Sequence, residues 1–196
     1  MTELEQEFDA AWFLPPNSYL GDWIKTNREY FPGSGTRVKI NIDNIDYDEF
    51  WKLSSLVEAL EAQDDIVSSV DSWWSEFTKY VEENDLFDGS VFNNNNASEM
   101  IVLSSNHTVF YFRLTQFLYS AKGIQYQKNF KFDSVLNCGT ISPKIKLTEI
   151  EFTHRLFSGS AEHVPAMIKI KEIVNSYNFS SHAFAIGNNT QLIVMI

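Results

Sequence analysis

Residues 37–42 read RVKINI, and this alternation of polar and apolar side chains is the feature that decides the fold. The apolar positions share one parity and the polar positions share the other, namely Val38, Ile40 and Ile42 against Arg37, Lys39 and Asn41. Because successive side chains of a strand point to opposite faces of a sheet, the pattern predicts a strand with one buried and one polar face.

Similar patterns recur on both sides of this strand. Residues 17–30 predict a helix that Asn17 or Ser18 caps after Pro15-Pro16, and residues 47–62 predict a second helix, capped by Asp46. Further apolar patterns predict strands at 66–70, 126–132, 145–154 and 182–186, and helices at 72–83, 107–121 and 161–177.

The strand at 145–154 changes parity along its length. Ile145 and Leu147 share one parity, whereas Ile150 and Phe152 share the other. A β-bulge adds one residue to a strand and thereby moves the following side chains to the opposite face. We therefore expect a bulge or a bend near Thr148-Glu149.

The order of these elements indicates an α+β fold. Without a helical insertion at about 72–124, the order is βαββαβ, which is typical of a ferredoxin-like split sandwich with two helices on one face of an antiparallel sheet. The sequence then divides into a lead-in segment and helix at 1–36, the ferredoxin-like body at 37–187 and an apolar tail at 188–196. We expect the tail to form a final buried strand, or else the chain to be cut from a longer protein.

Composition narrows the class of protein. The chain has 196 residues, of which 44% are hydrophobic and 15% aromatic, so one domain with an insertion can build a core. Its net charge of −11 argues against nucleic acid and against docking on anionic lipid, both of which require clustered Lys and Arg. The acidic N-terminus MTELEQEFDA and the absence of a long apolar run predict neither a signal peptide nor a membrane-spanning segment.

No motif for catalysis or cofactor binding is visible. None of the four histidines (His107, His154, His163 and His182) has a histidine three or four residues away, as a helical metal site needs, although His154 and His163 could meet across a turn. Cys138 has no second cysteine to pair with. Phosphate-binding loops and nucleophile elbows are missing as well. We therefore expect no enzymatic activity, no bound metal and no cofactor.

Two other features have a plain and a functional interpretation. The sequons at Asn96, Asn106, Asn178 and Asn188 are glycosylation candidates only if the chain enters the secretory route. The Trp73-Trp74 pair and the Phe-rich helix at 107–121 could line an apolar pocket, but composition favours ordinary core packing.

Several segments together resemble the second extracellular or lumenal domain of the Patched and Niemann-Pick type C family, which comprises RND-superfamily permeases with sterol-sensing domains. LPPNSYLGDW at 14–23 resembles the family's Pro-x-Asp-Ser-Tyr element through Pro15, Ser18 and Tyr19, with Asn17 in place of the commoner Asp. Gly35 resembles the turn into the first strand, and Ser72, Trp73 and Phe77 resemble the Ser-Trp helix. Further similar segments bring the covered range to about residues 8 to 187: Leu114 with Phe117-Leu118, Gly123 with Tyr126, Phe152-Thr153-His154 and Pro165-Ala166-Met167.

This resemblance implies an ectodomain that stands on a bilayer at the extracellular or lumenal side. Its partners would be the membrane part and a second ectodomain of the same permease, and its ligand a sterol or another lipid. The chain departs from the family in lacking membrane helices, proton-relay acids and a cysteine framework, so it cannot transport alone.

Three hypotheses follow. The first is an ectodomain, or a fragment of one, from a lipid permease of the RND type. The second is a free-standing soluble binding or scaffold module with the same fold, and the third is an enzyme, which the absence of site motifs disfavours.

Overall fold

The computed structural model describes residues 14–15, 18–31, 35–84, 107–157 and 160–187. The described part of the chain contains five α-helices and five strands. The helices are α1 (Tyr19–Tyr30), α2 (Trp51–Glu61), α3 (Trp73–Glu83), α4 (His107–Leu118) and α5 (Ser160–Ser176). The strands are β1 (Arg37–Asp43), β2 (Val67–Asp71), β3 (Phe130–Phe132), β4 (Ile145–His154) and β5 (Ala183–Gly187). The predicted tail at 188–196 lies outside the described residues.

The strands form one open antiparallel sheet. Its order is β2-β4-β1-β5, and β3 also pairs with β4. β3 pairs with β4 from Ile145 to Thr148, whereas β2 pairs with it from Glu151 to His154, so both lie along the same edge of β4. The protein is therefore a mixed α+β structure, as the sequence predicted at this level.

The apolar parity of β1 forms the buried face of the sheet. Val38, Ile40 and Ile42 are fully buried and pair with Phe152, Ile150 and Thr148 of β4. Leu53 and Leu60 of α2 and Ile170 and Val174 of α5 belong to the same core. The burial of both helices against apolar strand residues supplies the main driving force for this layered arrangement.

The opposite face of the sheet is polar around its centre. Lys39 Nζ lies 3.0 Å from Glu149 Oε1 and 3.4 Å from Glu151 Oε1, and Lys128 Nζ lies 3.2 Å from Glu151 Oε1. Burial by itself would raise the pKa of Glu151, but the hydrogen bond from Lys128 and the charges of both lysines outweigh it and hold this pKa below its ordinary value. A half-buried strand thus keeps charged groups on its outer side by pairing them.

The bulge in β4 lies elsewhere than predicted. Pairing with β1 runs without interruption from Leu147 to Thr153, so no bulge occurs at Thr148-Glu149. Instead, Lys131 pairs with Leu147 and Phe132 pairs with Ile145, which leaves Lys146 as the extra residue opposite β3. The parity change in the sequence was real, but its cause lies in the pairing with a different strand.

Two further predictions about local structure were wrong. Asp46 makes no capping hydrogen bond to the 3-10 helix Tyr47–Glu49 that precedes α2; its Oδ2 lies instead 3.1 Å from Ser180 Oγ. The first part of the strand predicted at 126–132 is a 3-10 helix, Ile124–Asn129. Tyr126 and Phe130 are both buried, but because they come from different element types their common parity does not indicate a strand.

Candidate functional site

The lead-in segment is organised by a capped helix start. The Ser18 backbone N–H donates to the Pro15 carbonyl at 3.1 Å, which closes a turn. Ser18 Oγ then accepts a hydrogen bond from Gly21 N at 3.2 Å and satisfies one of the free N–H groups at the start of α1. Ser18 rather than Asn17 is therefore the capping residue, which selects between the two predicted caps.

One side of α1 carries large apolar side chains that remain exposed. Tyr19 is 86% exposed, Trp23 53% and Tyr30 67%, and these positions stack along one side of the helix. Beside these positions lie Leu20, which is 49% exposed, and Phe31, which directly follows the helix and is 57% exposed. We call these five residues the aromatic face of α1. Exposed large side chains that cluster in this way indicate a contact surface.

The opposite side of α1 is polar and carries charges of both signs. Asp22, Lys25 and Glu29 lie there, all of them exposed. A helix with aromatic residues on one side and charged residues on the other can lie at a bilayer surface, because Trp and Tyr place their rings at the level of the headgroups. Acidic and basic groups are mixed on the polar side, so this surface is suited to zwitterionic rather than anionic lipid.

The Ser-Trp segment starts a buried helix. Ser72 Oγ accepts from Ser75 N at 3.4 Å and caps α3, whose Trp73 and Phe77 are fully buried. Tyr126 donates from its hydroxyl to Asp71 Oδ1 at 2.8 Å, just before the cap. Burial, together with this bond to a carboxylate, raises the pKa of Tyr126, so the phenol stays protonated and holds the start of α3 in place.

The aromatic residues of α3 and α4 contact one another and Phe50, which directly precedes α2. Ring centroids lie 5.7 Å apart for Phe50 and Trp74, 5.6 Å for Phe77 and Phe110, and 5.5 Å for Phe77 and Phe117. These are the usual separations of packed aromatic pairs. The residues considered as pocket lining are therefore core residues at these contacts, which agrees with the interpretation that composition favoured.

Gly35 lies where the chain enters β1. A Cβ atom at this position would stand 2.1 Å from the His154 carbonyl oxygen and 2.6 Å from that of Arg155. The His154 N–H donates to the carbonyl of the adjacent Thr36 at 2.9 Å, so the two segments are held together by their backbones. The glycine is required for a close approach of backbone segments, whereas Pro15 and Tyr19 are exposed and have no such packing role.

One of the four sequons lies within the described residues, and the other three lie outside them. Asn178 is exposed, in the left-handed conformation with φ of 44°, and its carbonyl accepts from Lys52 Nζ at 3.0 Å. Ser180, the third residue of this sequon, donates from its hydroxyl to Glu49 Oε2 at 2.7 Å. The other three candidates, Asn96, Asn106 and Asn188, lie outside the described residues.

Two of the histidines come together, a contact that the sequence left open. The rings of His154 and His163 do meet, with centroids 5.6 Å apart. Met167 also lies beside His154, a neighbour that a search for histidine spacing alone could not find. Among the described residues, no three side chains of His, Cys, Asp or Glu converge to hold a metal ion.

None of the helices in the described segments combines the length and the apolar character that crossing a bilayer requires.

Comparison with known proteins adds no family assignment. No protein-family model matches the chain, and no curated protein matches it either.

Proposed function

We propose that this chain is the extracellular or lumenal domain, or a fragment of one, of a Patched-like permease of the RND type that moves a sterol or another lipid. The single observation that carries the proposal is the aromatic face of α1, directly after the capped turn that begins at Pro15. In such a protein, α1 rests on the bilayer surface and fixes how the domain stands above it. The chain supplies no transport step by itself.

The proposed fold is the ferredoxin-like split βαββαβ sandwich with a helical insertion. The strand order β2-β4-β1-β5 supports it. With β1, β2, β4 and β5 as the four strands of that arrangement, the first and third of them, β1 and β4, lie in the centre, and all neighbours are antiparallel. The insertion then comprises α3 and α4, which lie between β2 and β3, and β3 is a fifth strand that pairs with β4 outside the four-strand pattern.

The proposal assigns partners by position. The membrane part of the same permease contacts the aromatic face, and a second ectodomain shares the route for the lipid. Asn106 and the other sequons are sites for glycans on the lumenal side. Nucleic acid is not a partner, since the net charge of −11 repels phosphate.

Binding to vesicles tests the membrane-facing role of α1. We expect the purified chain to cosediment with phosphatidylcholine vesicles, and Trp23→Ser with Tyr30→Ser to weaken this binding by at least about tenfold, since each buried aromatic side chain contributes on the order of 1–2 kcal/mol. A double variant on the polar side, Lys25→Gln with Glu29→Gln, is the matched control and keeps the binding. Equal binding by both variants, or none by the parent chain, contradicts the role.

The flanking DNA tests the permease itself. In-frame runs of about 20 apolar residues on either side of this chain support the proposal, because that length spans a bilayer as a helix. Stop codons on both sides without such runs refute it.

A free-standing binding or scaffold module with the same fold is the alternative. Glycosylation separates the two: a glycan on Asn106 in the native organism requires passage through the lumen, whereas unmodified protein in the cytosol favours the free-standing module.

A further inference from the structure

A buried cluster of nitrogen and sulfur ligands lies where β4 meets α5. His154 is fully buried at the end of β4, and its Nε2 lies 3.1 Å from Met167 Sδ. Its other ring nitrogen, Nδ1, lies 3.3 Å from the Ile66 carbonyl oxygen. The rings of Phe152 and Phe157 pack around this imidazole, with centroids 5.2 and 5.4 Å from it.

The two neighbours of the imidazole pose a problem of proton placement. The Ile66 carbonyl can only accept, so it favours the tautomer in which Nδ1 carries the proton. Nε2 then presents its lone pair to the lone pairs of the Met167 thioether, which is itself only a weak acceptor. The other neutral tautomer moves the conflict to the Ile66 oxygen.

A soft cation held between Nε2 and Sδ would accept the lone pairs of both atoms, while Nδ1 keeps its proton on the Ile66 carbonyl. The arrangement of these atoms is therefore that of two potential metal ligands next to each other.

His163 extends the cluster. It lies four residues before Met167 on α5, so both side chains project from one side of the helix toward the end of β4. Its ring is half-buried, and the centroid lies 5.1 Å from that of Phe157. The three side chains thus supply two imidazoles and one thioether next to each other.

We propose that His154, Met167 and His163 bind a soft monovalent cation, Cu(I), in a site on the side of the sheet that α5 covers. Thioether and imidazole are ligands that Cu(I) prefers, whereas Mg²⁺ and Ca²⁺ require oxygen ligands. Metal-binding histidines are commonly oriented by a hydrogen bond from their other ring nitrogen to a backbone carbonyl, and the contact of His154 Nδ1 with the Ile66 carbonyl has this geometry. The site does not depend on the proposed permease role.

Binding requires a small movement of one flexible side chain. With the zinc bond lengths of about 2.0 Å to nitrogen and about 2.3 Å to sulfur as a guide, a bound metal places these two atoms about 3.5 Å apart at a tetrahedral angle. The present separation is 3.1 Å, so the sulfur has to withdraw slightly. Methionine has three rotatable bonds, and Met167 is only half-buried, so it can make this adjustment.

Competition with a chromophoric Cu(I) chelator tests the site. The exposed thiol of Cys138 also binds Cu(I), so the experiment uses a Cys138→Ser background. We expect one equivalent of Cu(I) to bind and the Met167 methyl resonance to shift on binding. Met167→Leu preserves the side-chain volume, and it should weaken binding by more than about 100-fold, beyond the roughly 10–100-fold cost of losing a residue that only orients a ligand.

Two further variants make the outcome unambiguous. His163→Gln should also weaken Cu(I) binding, whereas His182→Gln, at an exposed position before β5, should leave it unchanged. A urea unfolding curve for each variant verifies that it folds. Failure of the folded parent to bind Cu(I), or equal affinity in Met167→Leu, overturns the site. Tighter binding of Zn²⁺ than of Cu(I) overturns the assignment of a soft monovalent cation.

Discussion

At the scale of single residues, Gly35 shows how a backbone contact fixes an identity. The nearest atoms to a Cβ at this position are carbonyl oxygens of His154 and Arg155, which cannot rotate away as a side chain can. Sequence resemblance identified this glycine, but the reason for it comes from a segment more than a hundred residues later in the chain. No local pattern carries that information.

We therefore expect Gly35→Ala to destabilise the protein by about 2–3 kcal/mol, the upper range for overpacking. Gly187→Ala is the matched control, because its Cβ would lie 3.9 Å from Val38 Cγ2, an ordinary contact. Urea unfolding followed by tryptophan fluorescence measures both changes. Equal stability of the two variants would contradict the steric explanation.

His154 makes a second prediction at this scale, for metal-free protein kept in chelator. Its pKa falls from 6.5 to about 4 on folding because burial disfavours the charged ring. Above pH 6.5 the ring is neutral in both states and does not reduce the free energy of unfolding. As the pH falls from 6.5 towards about 4, the unfolded state binds the proton while the folded state does not, so the free energy of unfolding decreases. Burial also lowers the pKa of the adjacent His163, which acts in the same direction.

The free energy of unfolding should drop by about 2 kcal/mol between about pH 7.5 and about pH 5, where carboxylates of ordinary pKa contribute little. His154→Gln should remove most of this slope, whereas His182→Gln should retain it. Urea unfolding curves at each pH provide the measurement. A flat profile for the parent protein across this window would show that His154 is not held neutral by burial.

At the scale of elements, the sequence predicted most helices and strands, because one side of each faces the core. β1 and α2 follow from alternation and from helical spacing, and both patterns report burial directly. The position of the bulge at Lys146 could not be predicted, since it depends on how β3 aligns with β4. The contact between His154 and Met167 likewise requires the tertiary arrangement of β4 and α5.

The start of α3 gives a prediction at this scale. Ser72 is buried, and its hydroxyl accepts from Ser75 N, so Ser72→Ala leaves that N–H without a partner and should cost about 1 kcal/mol. Ser72→Gly should cost only a few tenths of a kcal/mol, since glycine is tolerated at this position. Thermal unfolding followed by circular dichroism compares the two. A larger loss for glycine than for alanine would exclude capping as the cause.

At the scale of the whole molecule, polar and apolar surfaces are separated. The centre of the outer sheet face pairs lysines with Glu149 and Glu151, while the aromatic face belongs to α1, outside the sheet. Phe184 and Ile186 of β5 are partly exposed beside Asn41 and Lys39 on that outer face. The proposed permease would use two such separate contact regions, one for the bilayer and one for a second domain.

The same arrangement predicts how the isolated domain treats a sterol. Rings of α3 and α4 such as Phe77 and Phe110 fill the space between these helices, and in the proposed permease the lipid route is shared with a partner ectodomain. We therefore expect weak or no binding of a fluorescent sterol by the purified chain, and submicromolar affinity would contradict a shared route. Adsorption to α1 is the competing explanation for any weak signal. The Trp23→Ser, Tyr30→Ser double variant separates the two, because it removes adsorption to the exposed helix and leaves a binding site in the body of the domain intact.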